Sequence, residues 1–567
     1  VALQEKGRPM NRARGWLGSL LCAVACGPAG AAAIDADLAA YLERCDKDYS
    51  DQVQMLGSRW SGPGYHSTVL PGTWVHATRP SLDYALALLK RSAPGDADRA
   101  ARVIRKVLSL QDVDPPSRTY GIWPWLLEEP LAKMSPPDWN WADFCGAALA
   151  EMLVDHSAKM PEDLKALVRT SLGHAARAII KRNVGPGYTN IAIMGGGVTA
   201  AAGEILGDAA MLDYGRARLR KMVEHTAYHG SFNEYNSPTY TMVALREAER
   251  ALRLVRDAAS REAAESLRRT AWQIIADSFN PGTQQWAGPH SRAYRDTISA
   301  RMVKDLAAQC PSELAPRFKA LPQDPLQLRR TFIRGESPEK SIIGTTWHTA
   351  DACLGSVNHA MLWTQRRPLI AYWKGEGEDV AVLRLRFLHD GRDFASMAVA
   401  TAQEGGRALS AFYPLKNHGD WHPSLDRPKD GVFGAADFCV RYELRGKGAT
   451  AERLGAGRFV LAAGGRRAVI HTVAGRFDGR PVEWQEGKDK DAVFVDAICY
   501  RGEKKVFDFG TGPDVAVVAA MEILRAGETP AAQLPVLSEA GPGAVTATWD
   551  GGGAAKLSVS TAGLVGD

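Results

Sequence analysis

Apolar residues recur at intervals of three and four through the first half of the chain and at intervals of two through the second. Helical spacing runs through 82–89, 103–110 and 142–153, returns in Leu164, Leu167, Val168, Leu172, Ala175 and Ile179, and again in Tyr240, Val243, Ala244, Ala248, Ala251, Leu252 and Val255. Such spacing places one apolar stripe on each helix. Ten or so helical segments follow one another through short Pro/Gly or polar loops, so residues 34–335 are expected to form an all-α domain, a ring of paired helices more than a four-helix bundle. After Pro338 the period falls to two in 369–373, 380–387, 396–402, 438–444, 459–463, 468–473, 492–500, 515–524 and 544–549. Short alternating runs separated by turns such as Gly464-Gly465 and Gly551-Gly552-Gly553 predict an antiparallel β-sandwich or super-sandwich over residues 336–567. The proline-rich stretch 311–342 is read as the connection between the two.

Composition changes this picture little. A chain of 567 residues, 45% hydrophobic and 23% charged, is long enough for two sizeable domains. Residues 1–33 carry Lys6, Arg8, Arg12 and Arg14 against Glu5, so without them the formal charge of +5 falls to +2, and nothing calls for a nucleic-acid partner. From Met10, basic residues, the apolar run 16–25 and the small residues Ala31-Ala32-Ala33 have the three parts of a secretory signal, with Val1–Pro9 an upstream extension. Ala23-Val24-Ala25-Cys26 offers a lipoprotein-type alternative. No later apolar run spans a bilayer, so a secreted or periplasmic protein is expected. Outside the leader, Cys45, Cys145, Cys310, Cys353, Cys439 and Cys499 are too scattered for a disulfide framework or a zinc pattern, and predict buried thiols with at most one bridge.

The densest polar stretch is Gly230-Ser231-Phe232-Asn233-Glu234-Tyr235-Asn236-Ser237-Pro238-Thr239-Tyr240, lying between two helical patterns with Ser-Pro opening the second. It reads either as an active-site wall or as a set of caps and turns. Trp125 in Tyr120–Trp125 and Trp141 in Trp139–Phe144 suit stacking on sugar faces, or core filling. Asn190 stands at the mouth of the apolar, Gly-rich run 191–197, as a cap or as an amide receiving a negative oxygen. His229 precedes the polar stretch, and His290, Arg292 and Arg295 follow it in a cation-rich segment suited to an anion.

The order Asn190, His229, Tyr240, Arg292 on a helical domain with a β-sandwich behind it resembles the toroid-type polysaccharide lyases, including the chondroitin AC and hyaluronate lyases and the heparinase II/III-like enzymes. The resemblance implies an N-terminal (α/α) toroid followed by an antiparallel β-sandwich, an anionic polysaccharide substrate and no cofactor. It further implies that Asn190, aided by Arg292 or His290, neutralises a uronate carboxylate, while Tyr240 is general base or acid with His229 as its partner. Arg292 and Arg295 would favour an ionised tyrosine. Tyr235 competes with Tyr240, since spacing does not separate them. His348 matches the place where heparinase-like lyases lend a histidine from the β domain, or else packs in the core. Asn236 and Glu234 are sugar-binding candidates. The His418 and His422 loop is read as surface, with no metal-ligand set completed.

Two other readings stay open. A glycoside hydrolase on a similar toroid would use Glu234 with Asp143 or Asp138 as paired carboxyls. A binding protein without catalysis would account for the aromatics and cations, but not for a Tyr and a His beside an amide.

Overall fold

The computed structural model describes residues 28–62, 66–415, 431–541, 544–551, 556–562 and 564. Most of the leader and the loop with His418 and His422 lie outside them. The chain divides into two compact units, 1–223 with 246–268, and 224–245 with 269–567.

The first unit is helical where the 3.6-residue spacing predicts it: Thr78–Arg91, Asp96–Leu108, Trp141–Asp155, Glu162–Arg182 and Thr189–Leu206. Their ends obey local rules. Glu162 and Asp163 open one helix and Lys181 and Arg182 close it, each sign matching the helix dipole, and Asn183 at φ 47° turns the chain away. Glycines 196 and 203 of Thr189–Leu206 allow close approach to Ala209–His229: a Cβ on Gly203 would strike the Leu212 backbone, and one on Gly196 the Leu219 side chain. That stretch owes its glycines to helix packing. Glu151, buried, is surrounded by Lys90 at 2.9 Å, Arg253 at 2.9 Å and Arg250 at 3.4 Å. Burial opposes its ionisation, but the three cations outweigh it and hold the carboxyl at about 2.

The second unit contains the antiparallel β region, whose first strand, Leu326–Ile333, lies inside the proline-rich stretch and pairs with Ile342–His348. One sheet joins Ala352–Val357, Leu369–Lys374, Val380–His389, Val432–Arg445 and Val493–Asp508. A second joins Met397–Glu404, Arg407–Pro414, Val515–Arg525, Arg466–Thr472 and Arg458–Ala463. Leu383, Trp373, Tyr442 and Val495 of the first meet Met397, Val399, Phe412 and Met521 of the second in one core, which makes a β-sandwich. Alternation explains the long apolar runs. Met397 and Val399 enter that core, while Ala398 and Ala400 face a second core built with Trp549, Leu557 and Val559 of a three-stranded sheet. The outer face of the first sheet, through Ile370, Tyr372, Val382 and Cys353, covers Ala287 and so seats the segment that follows Trp286. The six described cysteines are free thiols, five of them buried. No described helix is long and apolar enough to cross a membrane.

Candidate active site

The loop 230–239 links helix Ala209–His229 to helix Tyr240–Leu254. Gly230 takes φ 88°, a left-handed turn that glycine adopts without strain. The loop is fastened along its length to residues 286–292. Asn236 Nδ2 donates to the Ala287 and Pro289 carbonyls at 2.9 and 2.8 Å, and its Oδ1 accepts from Trp286 Nε1 at 2.5 Å. His290 Nδ1 donates to the Asn236 carbonyl at 2.8 Å, and Ser291 Oγ to the Tyr235 carbonyl at 2.7 Å. Ser237 Oγ donates to the Arg292 carbonyl at 2.6 Å while accepting from the Tyr240 amide at 3.0 Å, which fixes the first turn of the helix against the segment. Further along, Asp296 is gripped by Arg367 at 2.6 Å, Arg384 at 3.2 Å and Arg445 at 3.4 Å. Burial opposes its charge, but these arginines hold its carboxyl at about 2.

This fastening delivers Arg292 and Tyr294 to Tyr240. The Arg292 guanidinium carbon stands 4.5 Å from the Tyr240 ring centroid and 5.4 Å from that of Trp363. Its Nε and Nη2 both reach Gln365 Oε1, at 3.1 and 2.8 Å, and its Nη1 lies 3.7 Å from Glu234. Tyr240 and Tyr294 share a hydrogen bond of 2.8 Å between their hydroxyls. Burial, and next Tyr294, push the Tyr240 phenol well above its ordinary value, with Arg292 pulling the other way. In the free protein the phenol therefore holds its proton.

Of the expected residues, the structure brings together Tyr240, Arg292 and Glu234. Tyr235 is buried, its ring stacked on Phe332 at 4.6 Å, and burial raises its phenol. Asn236 and His290 are buried and spend their polar atoms on the protein, with burial pushing His290 down to about 4, so both serve as scaffold and not as sugar ligands. His348, also fully buried, has Nδ1 3.3 Å from Asn280 and is pushed by burial to about 3. Arg295 is exposed. His229 closes its helix, and its Nδ1 accepts the Arg334 amide at 3.0 Å. That bond occupies the one lone pair of the neutral ring and leaves Nε2–H as a donor. Its ring lies 4.3 Å from that of His225, which reaches Asn233 Oδ1 at 2.8 Å.

Asn190, Trp125 and Trp141 belong to the helical unit. Asn190 is buried in the first turn of Thr189–Leu206, whose flanking Tyr188 makes no side-chain cap. Beside that helix opens a cleft of about 160 Å³ lined by Gly185, Ala192, Tyr214, Arg218 and Lys221. Trp125 stacks on Trp141 at 5.1 Å and donates to Asp138 at 3.2 Å, while Trp141 donates to Thr78 Oγ1. Asp143 is buried in the same unit, and burial lifts its carboxyl to about 7.

Sequence reasoning missed Trp363, Gln365 and His225, and took Tyr294 only as the phenol of the cation-rich segment, not as a partner of Tyr240. Tyr294 and His225 carried a signal, two residues from Arg292 and four from His229, whereas Trp363 and Gln365 arrive from the β region, more than seventy residues away in sequence.

A family model described as a domain of unknown function (DUF8769) matches residues 50–309. Among curated proteins none matches the sequence. Among solved structures, a chondroitin AC lyase from Streptomyces coelicolor A3 in complex with chondroitin sulphate is similar at TM-score 0.50 and 11% identity, over 93% of this chain and 85% of that one. A heparan sulfate lyase mutant from Pedobacter heparinus aligns at TM-score 0.36 and 11% identity, over 94% and 96% of the two chains. The likeness to the first is one of fold: the helical region followed by an antiparallel β-sandwich is the toroid-type polysaccharide lyase fold.

Proposed function

We propose that this protein is a polysaccharide lyase that cleaves a uronic-acid-containing polymer by β-elimination, with Tyr240 as the acid–base group. The observation that carries the reading is the Arg292 guanidinium held 4.5 Å from the centre of the Tyr240 ring. A phenol normally keeps its proton up to pH ~10, and a fixed cation beside it is what favours the phenolate a base requires. The shared fold with a chondroitin AC lyase supports the same choice.

In this reading the ionised Tyr240 takes the C5 proton of the uronate and returns it to the leaving O4. The C4–O4 bond breaks as the C4–C5 double bond forms. Arg292 stabilises negative charge on the phenolate and on the sugar carboxylate. His229 acts as a donor through Nε2–H, because its lone pair is engaged by Arg334. Arg295 offers an exposed cation to the polymer, and Trp125 and Trp141 offer faces to sugar rings. Glu234, beside Arg292, orients that guanidinium. A polymer substrate fits an exported enzyme, in keeping with the signal-like segment from Met10; the N-terminal sequence of protein recovered from outside the cytoplasm tests export.

The reaction is tested by incubation with chondroitin sulfate, hyaluronan, heparan sulfate and alginate while following the near-ultraviolet absorbance of an unsaturated 4,5-uronate. Growth of that chromophore on at least one polymer is expected. New reducing ends without it would instead establish hydrolysis.

A further inference from the structure

Tyr240 needs a route by which its proton leaves, and the second phenol provides one. Tyr294 is 49% exposed, yet its hydroxyl sits 2.8 Å from that of Tyr240. The placement is built. Ala293 is buried, while Arg292 on one side of it is partly open and Tyr294 on the other is exposed. The Ala293 amide donates to the Gln365 carbonyl at 2.6 Å, the amides of His290 and Arg367 exchange bonds with each other's carbonyls, and Tyr372 Oη donates to the Asp296 carbonyl at 2.6 Å. Arg292 serves both phenols: its Nη2 is 3.5 Å from the Tyr294 hydroxyl, and its carbon lies over the Tyr240 ring. An anion on either oxygen therefore meets the same cation. The charged groups around the pair, among the described residues, are Arg292 and Glu234, while Gln365 and Trp363 are neutral.

We propose that Tyr294 is the proton-exchange partner of Tyr240: it gives its own proton to solvent, takes the Tyr240 proton along their shared hydrogen bond, and leaves the negative charge on Tyr240. One proton is lost overall, from the Tyr294 oxygen to water or buffer, and one O–H bond breaks on Tyr240 as one forms on Tyr294. No electrons are transferred. Tyr294 touches the chemistry through Tyr240 and is a positioning residue. The inference rests on the lyase reading, with Tyr240 as its base. The two phenols titrate as a pair, so the pH dependence belongs to both.

The experiment compares the pH profile of kcat, on a polymer that yields the unsaturated product, for the parent, Tyr294→Phe and Tyr294→His. An ionised Tyr294 raises the Tyr240 phenol, whereas a neutral Tyr294 donates to the Tyr240 phenolate and stabilises it. Losing that donated bond is expected to move the acid limb of the Phe variant up by about one pH unit. Near neutrality its rate falls about tenfold, recovering at alkaline pH, with KM within about twofold. Imidazole exchanges protons, so Tyr294→His recovers much of the neutral rate. A profile for Tyr294→Phe that overlays the parent, or a loss uniform across pH, overturns the proposal. A substrate-free ultraviolet titration, taken as the difference from Tyr240→Phe, separates the two levels. Ionisation of Tyr240 that shifts in Tyr294→Phe, with no elimination on any polymer, sinks the lyase reading and retains the coupling. Elimination that survives Tyr240→Phe sinks both.

Discussion

The loop 230–240 and the segment it grips hold two polar clusters that look alike in sequence and differ in what surrounds them. Asn236, Trp286 and His290 are buried, and their hydrogen bonds go to one another, to backbone carbonyls or to the Tyr372 hydroxyl. Tyr240, Arg292 and Tyr294 stand at the edge of the same seam, partly open to solvent, with a cation placed against phenols. A buried polar group that is fully satisfied holds a shape, whereas a partly open one keeps the capacity to change partners. The first cluster is the scaffold, and the second is the reactive edge of the proposed lyase.

Removing the Tyr240 hydroxyl is expected to have the largest effect. Tyr240→Phe should lower kcat about a thousandfold, in the range of a lost general acid–base group, and leave binding nearly unchanged. Retained turnover, read from the unsaturated-uronate chromophore, would make the edge cluster ornamental. On the scaffold side, Asn236→Ala strands the Trp286 indole N–H and two carbonyls, and should cost about 2–4 kcal/mol of stability in denaturant titration. A variant as stable as the parent would show that the seam does not depend on this amide.

The buried imidazoles give the scaffold a pH signature. Burial depresses His290 to about 4, His348 to about 3 and His156 to about 4. The unfolded chain binds protons on these residues below pH ~6.5 while the folded protein does not, so stability is full above that value and falls as pH drops towards 4. The melting temperature followed from pH 7 to pH 4 should decline over this window, and a flat profile would contradict the burial. Smallest is Tyr235→Phe: the ring stacked on Phe332 stays, and activity should remain within about threefold with stability altered by less than about 1 kcal/mol. A collapse of kcat there would transfer the acid–base role to Tyr235.

Much of the candidate site was legible because residue type and order limit chemistry. A polar loop opened by Gly230 and closed by Ser237-Pro238, followed by a cation-rich stretch, identified Tyr240, Arg292 and Glu234 as one neighbourhood before any coordinates. The same reasoning grouped Asn236 and His290 with them, since an amide that welds two loops and one that binds a sugar have the same letter. Gln365 and Trp363 had no local signal. They reach Arg292 because the Ala293–Gln365 and His290–Arg367 backbone pairings join the two segments.

The sequence by itself determined the elements: a 3.6-residue period up to the proline-rich stretch and a two-residue period beyond it fix which residues must be hidden, and hence helices followed by an antiparallel sandwich. It also determined which chemical groups were available around Gly230–Tyr240. Only the tertiary structure decided which of them remain open. Burial and hydrogen-bond satisfaction are properties of what packs against a side chain, and for Tyr235, Asn236 and His290 those partners come from Phe332, Ala287, Pro289 and Tyr372, distant in sequence.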